Sequence, residues 1–259
     1  MNLKKELPKL IFLLPSAAGT LLFFLLPLCY CMVFACSSTS GRFTFAGGNN
    51  YIALFESETF RRALGNTYLM LFLSVGILVL IAMLLLYFLD AGKGTLGALL
   101  IFSLPMLLPP VLIVRVLEDT VLSPRVVLLF IFLWKYLGFH VLLLKTAERS
   151  ISREWIEAAM LDRASKWQVF IRIICPYLWP YVRFLLIFDG ICFFRLFRES
   201  YLLYGIYPPD QIYMITNFFF NNFHNLNYSR LSAAAIIALI PLLFFNGILW
   251  KAGGKHEMV

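Results

Sequence analysis

Followed along its apolar and polar positions, the chain is a series of long apolar stretches cut by short polar ones. The stretches run from about Leu10 to Cys36, then roughly 67 to 89, 97 to 117, 126 to 147, 181 to 204 and 230 to 250. A helix needs about 20 mostly apolar residues to cross the hydrocarbon layer. The pattern therefore predicts an all-α integral membrane fold with six spanning helices and no room for a separate soluble domain. Pro105, Pro109 and Pro110 interrupt the third stretch and Lys135 the fourth. Proline inside a membrane helix is tolerated where neighbouring helices satisfy the freed carbonyls, so both stretches are kept as spans. The first is too long for a cleavable signal, whose apolar region covers about 7 to 15 residues, and reads as a retained anchor.

Composition agrees: with 61% hydrophobic and only 14% charged residues, the chain is not an ordinary soluble domain. Its net charge of +8 does not point to nucleic acid, because the positive residues sort by side of the membrane. With the N-terminus inside, the inner segments hold Lys4, Lys5, Lys9, Lys93, Lys145, Arg149, Arg153, Arg163, Lys166, Arg172, Lys251 and Lys255. The outer ones hold mainly Arg42, Arg61, Arg62, Arg125 and Arg230. This asymmetry puts both termini in the cytoplasm, as an even number of spans requires.

His140, His224 and His256 lie far apart, and no H-E-x-x-H or paired C-x-x-C spacing exists, so neither metal nor cofactor is expected. Cys29, Cys31, Cys36, Cys175 and Cys192 read as small buried hydrophobes more readily than as a disulfide framework.

The longest inner polar stretch, residues 148–180 (ERSISREWIEAAMLDRASKWQVFIRIICPYLWP), reads as two short helices and a turn. Ser152 can N-cap the first, with Glu154 in its opening turn and Ile151 and Ile156 at the hydrophobic-staple positions. Ser165 and Gln168 form a capping box for the second. Trp167, Ile171 and Ile174, with Phe170 alongside, recur at the spacing of one face, and Pro176 is expected to end the run. Such a hairpin suits a groove in a partner protein or the headgroups of membrane lipid, and its residues alone do not choose between them.

Glu157-Ala158-Ala159, then Asp162, Ala164 and Ser165, then Ile173 and Pro176, resemble the EAA loop of binding-protein-dependent ABC importer permeases. The resemblance extends to 197-FRESYLL-203, the Tyr207-Pro208-Pro209 turn, Leu231-Ser232-Ala233-Ala234-Ala235 and Asn66-Thr67, which look like the carbohydrate-uptake branch. It implies one N-terminal helix before a five-helix ABC importer permease core. Residues 1–62 would be the anchor helix and outer loop, 63–251 the core with the EAA loop at 148–180, and 252–259 a cytoplasmic tail.

The resemblance further implies a bacterial inner-membrane permease that pairs with a second permease, two cytoplasmic ATP-binding subunits and an extracytoplasmic solute-binding protein to import a sugar. The coupling set it implies is Glu157, Ala158, Ala159, Asp162, Arg163, Ala164 and Ser165, with Glu157 as the charged contact and the alanines permitting close approach. ATP hydrolysis would belong to another chain. This one has no G-x-x-x-x-G-K-[ST] loop, and Gly92-Lys93-Gly94-Thr95 lacks the upstream glycine.

Arg163 stands where the family usually has glycine, so either the turn is built differently or Arg163 makes a contact of its own. The Glu118–Arg125 connection is shorter than the family's outer segment, which bears on docking of the solute-binding protein.

The fifth stretch carries Asp189, Arg195, Arg198 and Glu199, and ionisable groups in the bilayer must face protein or a watery cavity. Arg195 and Glu199, four apart, read as a structural ion pair or as a pair lining the pathway. Beyond them asparagines alternate with aromatics, which suits either a carbohydrate path or an interfacial belt. The substrate-path candidates are Arg198, Glu199, Asn217, Phe220 and Asn221. An ion-coupled secondary transporter using the charges of the fifth helix is the alternative function. An intramembrane enzyme ranks last, for want of a catalytic constellation.

Overall fold

The computed structural model describes residues 13–38, 44–89 and 95–253. The basic residues Lys4, Lys5, Lys9, Arg42, Lys93 and Lys255, the Gly92-Lys93-Gly94 turn and the last tail residues lie outside these limits. In chain order the helices are α1 (Leu13–Ala35), α2 (Asn49–Glu56), α3 (Glu58–Phe88), α4 (Thr95–Leu107), α5 (Pro110–Leu117), α6 (Pro124–Glu148), α7 (Arg153–Leu161), α8 (Lys166–Tyr204), α9 (Ile215–His224) and α10 (Tyr228–Gly253). An isolated antiparallel bridge joins Ser37 to Phe45.

Helices α1, α3, α6, α8 and α10 are each long and apolar enough to cross a membrane. The expected third span is instead a broken one: α4 and α5 are bent by 88°, making six spans if the pair counts as one. The prolines set the break, because a proline pushes the residue before it out of the helical region. Leu108 (ψ 136°) and Pro109 (ψ 140°) are both extended.

Two boundaries differ from expectation. Helix α3 begins at Glu58, well before residue 67. Pro176 does not end the run begun at Lys166, which continues as α8 to Tyr204. A π-turn at Phe170–Ile174 sits just ahead of Pro176, as another at Leu21–Leu25 sits just ahead of Pro27. The wider turn relieves the crowding between the proline ring and the carbonyl four residues back, so the helix survives.

The chain divides into two compact units. The first comprises residues 1–61 and 218–241. There Asn50 Nδ2 donates to the carbonyls of Ala35 (2.9 Å) and Ser37 (2.8 Å), and Ser37 Oγ meets Ser229 Oγ at 3.1 Å. Phe60 is fully buried and packs edge-on against Phe218. Helix α1 leaves its leucines and phenylalanines largely uncovered, as a helix facing lipid tails would.

The second unit comprises residues 62–217 and 242–259, and its core is α3, α6 and α8. One cluster joins Met70 and Leu78 to Leu128, Ile131 and Phe132 and to Phe193 and Leu196. The other joins Ala82 and Leu86 to Val141 and Leu144 and to Phe170, Ile174 and Leu178, with Ile151 beneath α7. Gly138 of α6 lies against α4: an added Cβ would clash with the Phe102 carbonyl oxygen.

Asn66 and Thr67 of α3 hold the segment after α8. Asn66 Nδ2 donates to the Asp210 carbonyl (2.7 Å), and the Ile215 N–H donates to Thr67 Oγ1 (2.8 Å). The cysteines are free thiols, of which Cys192 is buried, Cys29 exposed and the others intermediate, so burial is less general than their apolar settings suggested.

Candidate functional site

The hairpin formed by α7 and the start of α8 is built by local bonds. Ser152 takes the N-cap position of α7, but its side chain makes no capping bond. The opening instead rests on Ile151 and Ile156, which both pack into the cluster below. At the far end the Ala164 N–H donates to the Ala159 carbonyl and the Arg163 N–H to the Met160 carbonyl, both at 3.0 Å. These are the two bonds of a Schellman turn, which places residue 163 in the left-handed region. Arg163 adopts it, with φ 58°. The turn is therefore built in the ordinary way, and an arginine occupies the position that glycine fills most easily.

Both halves of the Ser165–Gln168 capping box are present: the Gln168 N–H donates to Ser165 Oγ (3.2 Å), and the Ser165 N–H to Gln168 Oε1 (2.8 Å). Glu157, Ala158, Asp162, Arg163 and Ser165 are exposed, while Ala159 and Ala164 are partly buried. Among them stand exposed Trp155, Met160 and Leu161, the last 84% accessible. The apolar stripe of the second arm differs from expectation: Val169, Phe170 and Ile174 are buried, whereas Trp167 and Ile171 are about half exposed. Trp167 stacks on Phe170 and meets Tyr87 edge-on.

The charges within α8 are partnered by α6. Glu199 pairs with Lys135 at 2.6 Å, both side chains nearly inaccessible, rather than with Arg195. Arg195 lies within a 3-10 turn at Phe194–Leu196, which spoils the four-residue register to Glu199 that an α-helix would give. Asp189 pairs with His140 at 2.9 Å, both fully buried, and His140 Nδ1 lies 2.9 Å from the Tyr136 carbonyl oxygen. Lys135 and His140 were not singled out as site residues from sequence. Their standing as ionisable groups inside a predicted span was the available signal.

Arg198 and Glu199 share a cavity of about 230 Å³, walled by Arg195, Lys135, Tyr136 and the bend from Met106 to Pro110. Asn217 is not among its lining residues. It is fully buried at the start of α9, where its Oδ1 accepts from the Met214 N–H (3.1 Å). Phe220 and Asn221 belong to the first unit, with Asn221 buried and Phe220 4.3 Å, centroid to centroid, from the His224 ring.

The chain is 26% identical to the arabinooligosaccharides transport system permease protein AraP of Bacillus subtilis (strain 168), over 98% of this chain and 90% of that protein. Its fold is similar to that of a chain of a bacterial ABC transporter involved in the import of the acidic polysaccharide alginate. That likeness has a TM-score of 0.78 at 22% identity and covers 97% of this chain and 98% of that one. A second structure, of bacterial alginate ABC transporter in complex with alginate pentasaccharide-bound periplasmic protein, matches with a TM-score of 0.74 at 22% identity over 95% of each chain. A family model described as binding-protein-dependent transport system inner membrane component matches residues 51–250. The chain therefore belongs to the family of inner membrane components of binding-protein-dependent transport systems, a multi-pass permease subunit of an ABC importer.

Proposed function

We propose that this permease imports an oligosaccharide and that its 153–165 hairpin seats in a cytoplasmic ATPase subunit. The observation that carries the reading is the hairpin itself. Its turn is closed by backbone and side-chain bonds, it stands between two spans, and it presents Glu157 and an uncovered apolar rim of Trp155, Met160 and Leu161. A rigid element with an apolar face and exposed acidic groups, Glu157 among them, fits a groove in a partner protein. Glu157 serves as the charged contact, Ala158 and Ala159 permit close approach, and the turn from Asp162 to Ser165 sets the angle of the two arms.

In this reading both termini are cytoplasmic. A second permease completes the pathway, two ATP-binding subunits supply the energy and perform the hydrolysis, and an extracytoplasmic binding protein delivers the solute. The core is residues 63–251, preceded by an anchor helix. Arg198 faces the solute, and Glu199 stands behind it in its pair with Lys135. The sugar assignment is supported by the arabinooligosaccharide permease relative, and the binding protein by the alginate complex. Family membership does not favour the ion-coupled alternative.

The test is Glu157→Lys. The variant is expected to reach the membrane in normal amount, because residue 157 is exposed, yet to lose the copurifying ATPase and energised uptake. Normal uptake by this variant would count decisively against the coupling role.

A further inference from the structure

The cavity between the α4–α5 bend and α6 and α8 has a charge that its sugar-path reading leaves unexplained. Its floor is the buried Lys135–Glu199 pair, whose charges cancel. The remaining charged lining groups are Arg195 and Arg198, both exposed and both positive. Among the described residues neither makes an ion pair. Cations at this point of a spanning helix are costly unless a watery cavity or a counter-charge meets them.

The wall opposite supplies an independent sign of a solvated site. The span is broken at Leu108 and Pro109, and non-helical backbone at membrane depth is stable only when buried in protein or lining a water-filled cavity. Discontinuous helices are also where transporters commonly place their solute sites.

We propose that this cavity recognises acidic sugars, with the Arg195 and Arg198 guanidinium groups receiving the carboxylate of a uronic acid unit as it passes. A guanidinium offers a planar fork of donors matched to a carboxylate. Glu199 is paired with Lys135, so the positive charge of the arginines is left to the solute. This rests on the importer reading above and narrows its substrate class from sugars to sugars bearing carboxylates.

The experiment uses the assembly that copurifies with the full chain, placed in nanodiscs, with trigalacturonate as the acidic probe and maltotriose as the neutral one. Titration calorimetry is expected to show trigalacturonate binding at least about tenfold more tightly, with only its affinity falling as salt rises. Arg195→Gln with Arg198→Gln is expected to abolish the preference, and Lys at both positions to keep most of it, which separates lost charge from misfolding. Equal affinities for the two probes, or a preference that survives the double Gln variant, would overturn the proposal.

Discs made with phosphatidylglycerol instead of phosphatidylcholine score the lipid alternative. Trigalacturonate binding that vanishes in them, together with copurifying phosphatidylglycerol that the double Gln variant loses, shows that the arginines hold a lipid headgroup, and the proposal falls. ATP hydrolysis by the same discs reads the importer function separately. If no ATPase copurifies, both readings fail; active discs that ignore the acidic probe remove only the acidic-sugar assignment.

Discussion

Replacing Gly138 with alanine tests a close backbone approach in the second unit. The new Cβ would overlap the Phe102 carbonyl oxygen and meet its carbonyl carbon at 2.5 Å and Ser103 Cα at 2.7 Å. All three are main-chain atoms, so no side-chain rotation relieves the clash, and α4 and α6 must part by roughly 1 Å to restore ordinary contact in a close-packed interior. Opposing this, alanine in a helix interior is favoured over glycine by about 1 kcal/mol. Overpacking costs about 1–3 kcal/mol, occasionally more. Because all three contacts are main-chain, the cost lies at the upper end, about 2–3 kcal/mol; the clash wins, with a net loss of about 1–2 kcal/mol, or about 2–4 °C in melting temperature per kcal/mol for a protein of this size.

Gly65 and Gly76 of α3 meet nothing within 4 Å and serve as controls. Alanine there is expected to be neutral or to raise the melting temperature. A thiol-reactive dye reporting exposure of buried Cys192 during heating reads all three variants. A Gly138→Ala protein that melts at or above the parent, in the same series as unperturbed controls, would refute the contact argument.

Three further outcomes are expected. Arg163→Gly should relieve about 1 kcal/mol of left-handed strain and raise the melting temperature slightly; a fall would show that the arginine side chain itself secures the turn. Ser165→Ala should remove half of the capping box, worth about 1 kcal/mol, and speed hydrogen exchange at the Lys166, Trp167 and Gln168 amides; unchanged exchange would count against the box. Lys135→Met should cost about 3–5 kcal/mol by stranding Glu199 in the core, while Lys135→Met with Glu199→Leu should recover most of the loss in melting temperature. A double variant no better than the single one would show that packing, not charge, holds this site.

What could be read from the residues alone followed the range of the interactions. The apolar stretches and the Ser165–Gln168 box depend on neighbours a few positions away, and both are found in the structure. Ser152 shows the limit of that approach: it stands at the cap position, yet its side chain makes no cap bond. The 88° bend and the passage of α8 through Pro176 depend on how neighbouring helices and wider turns accommodate proline, which residue type does not encode. Glu199 was matched to Arg195 by helical spacing, whereas Lys135 lies 64 positions away in sequence and Asp189 finds His140 at a separation of 49. Sequence flagged these carboxylates as needing company but carried no local sign of who supplies it.

Those two bonds also constrain how the permease can change shape. Lys135–Glu199 and His140–Asp189 rivet α6 to α8 at two levels, and a slip of a single residue, about 1.5 Å along a helix axis, would strand four ionisable groups together. The two helices must therefore travel as one strut during transport. Sliding and flexing are left to seams without such rivets, and the jointed α4–α5 segment is the natural hinge.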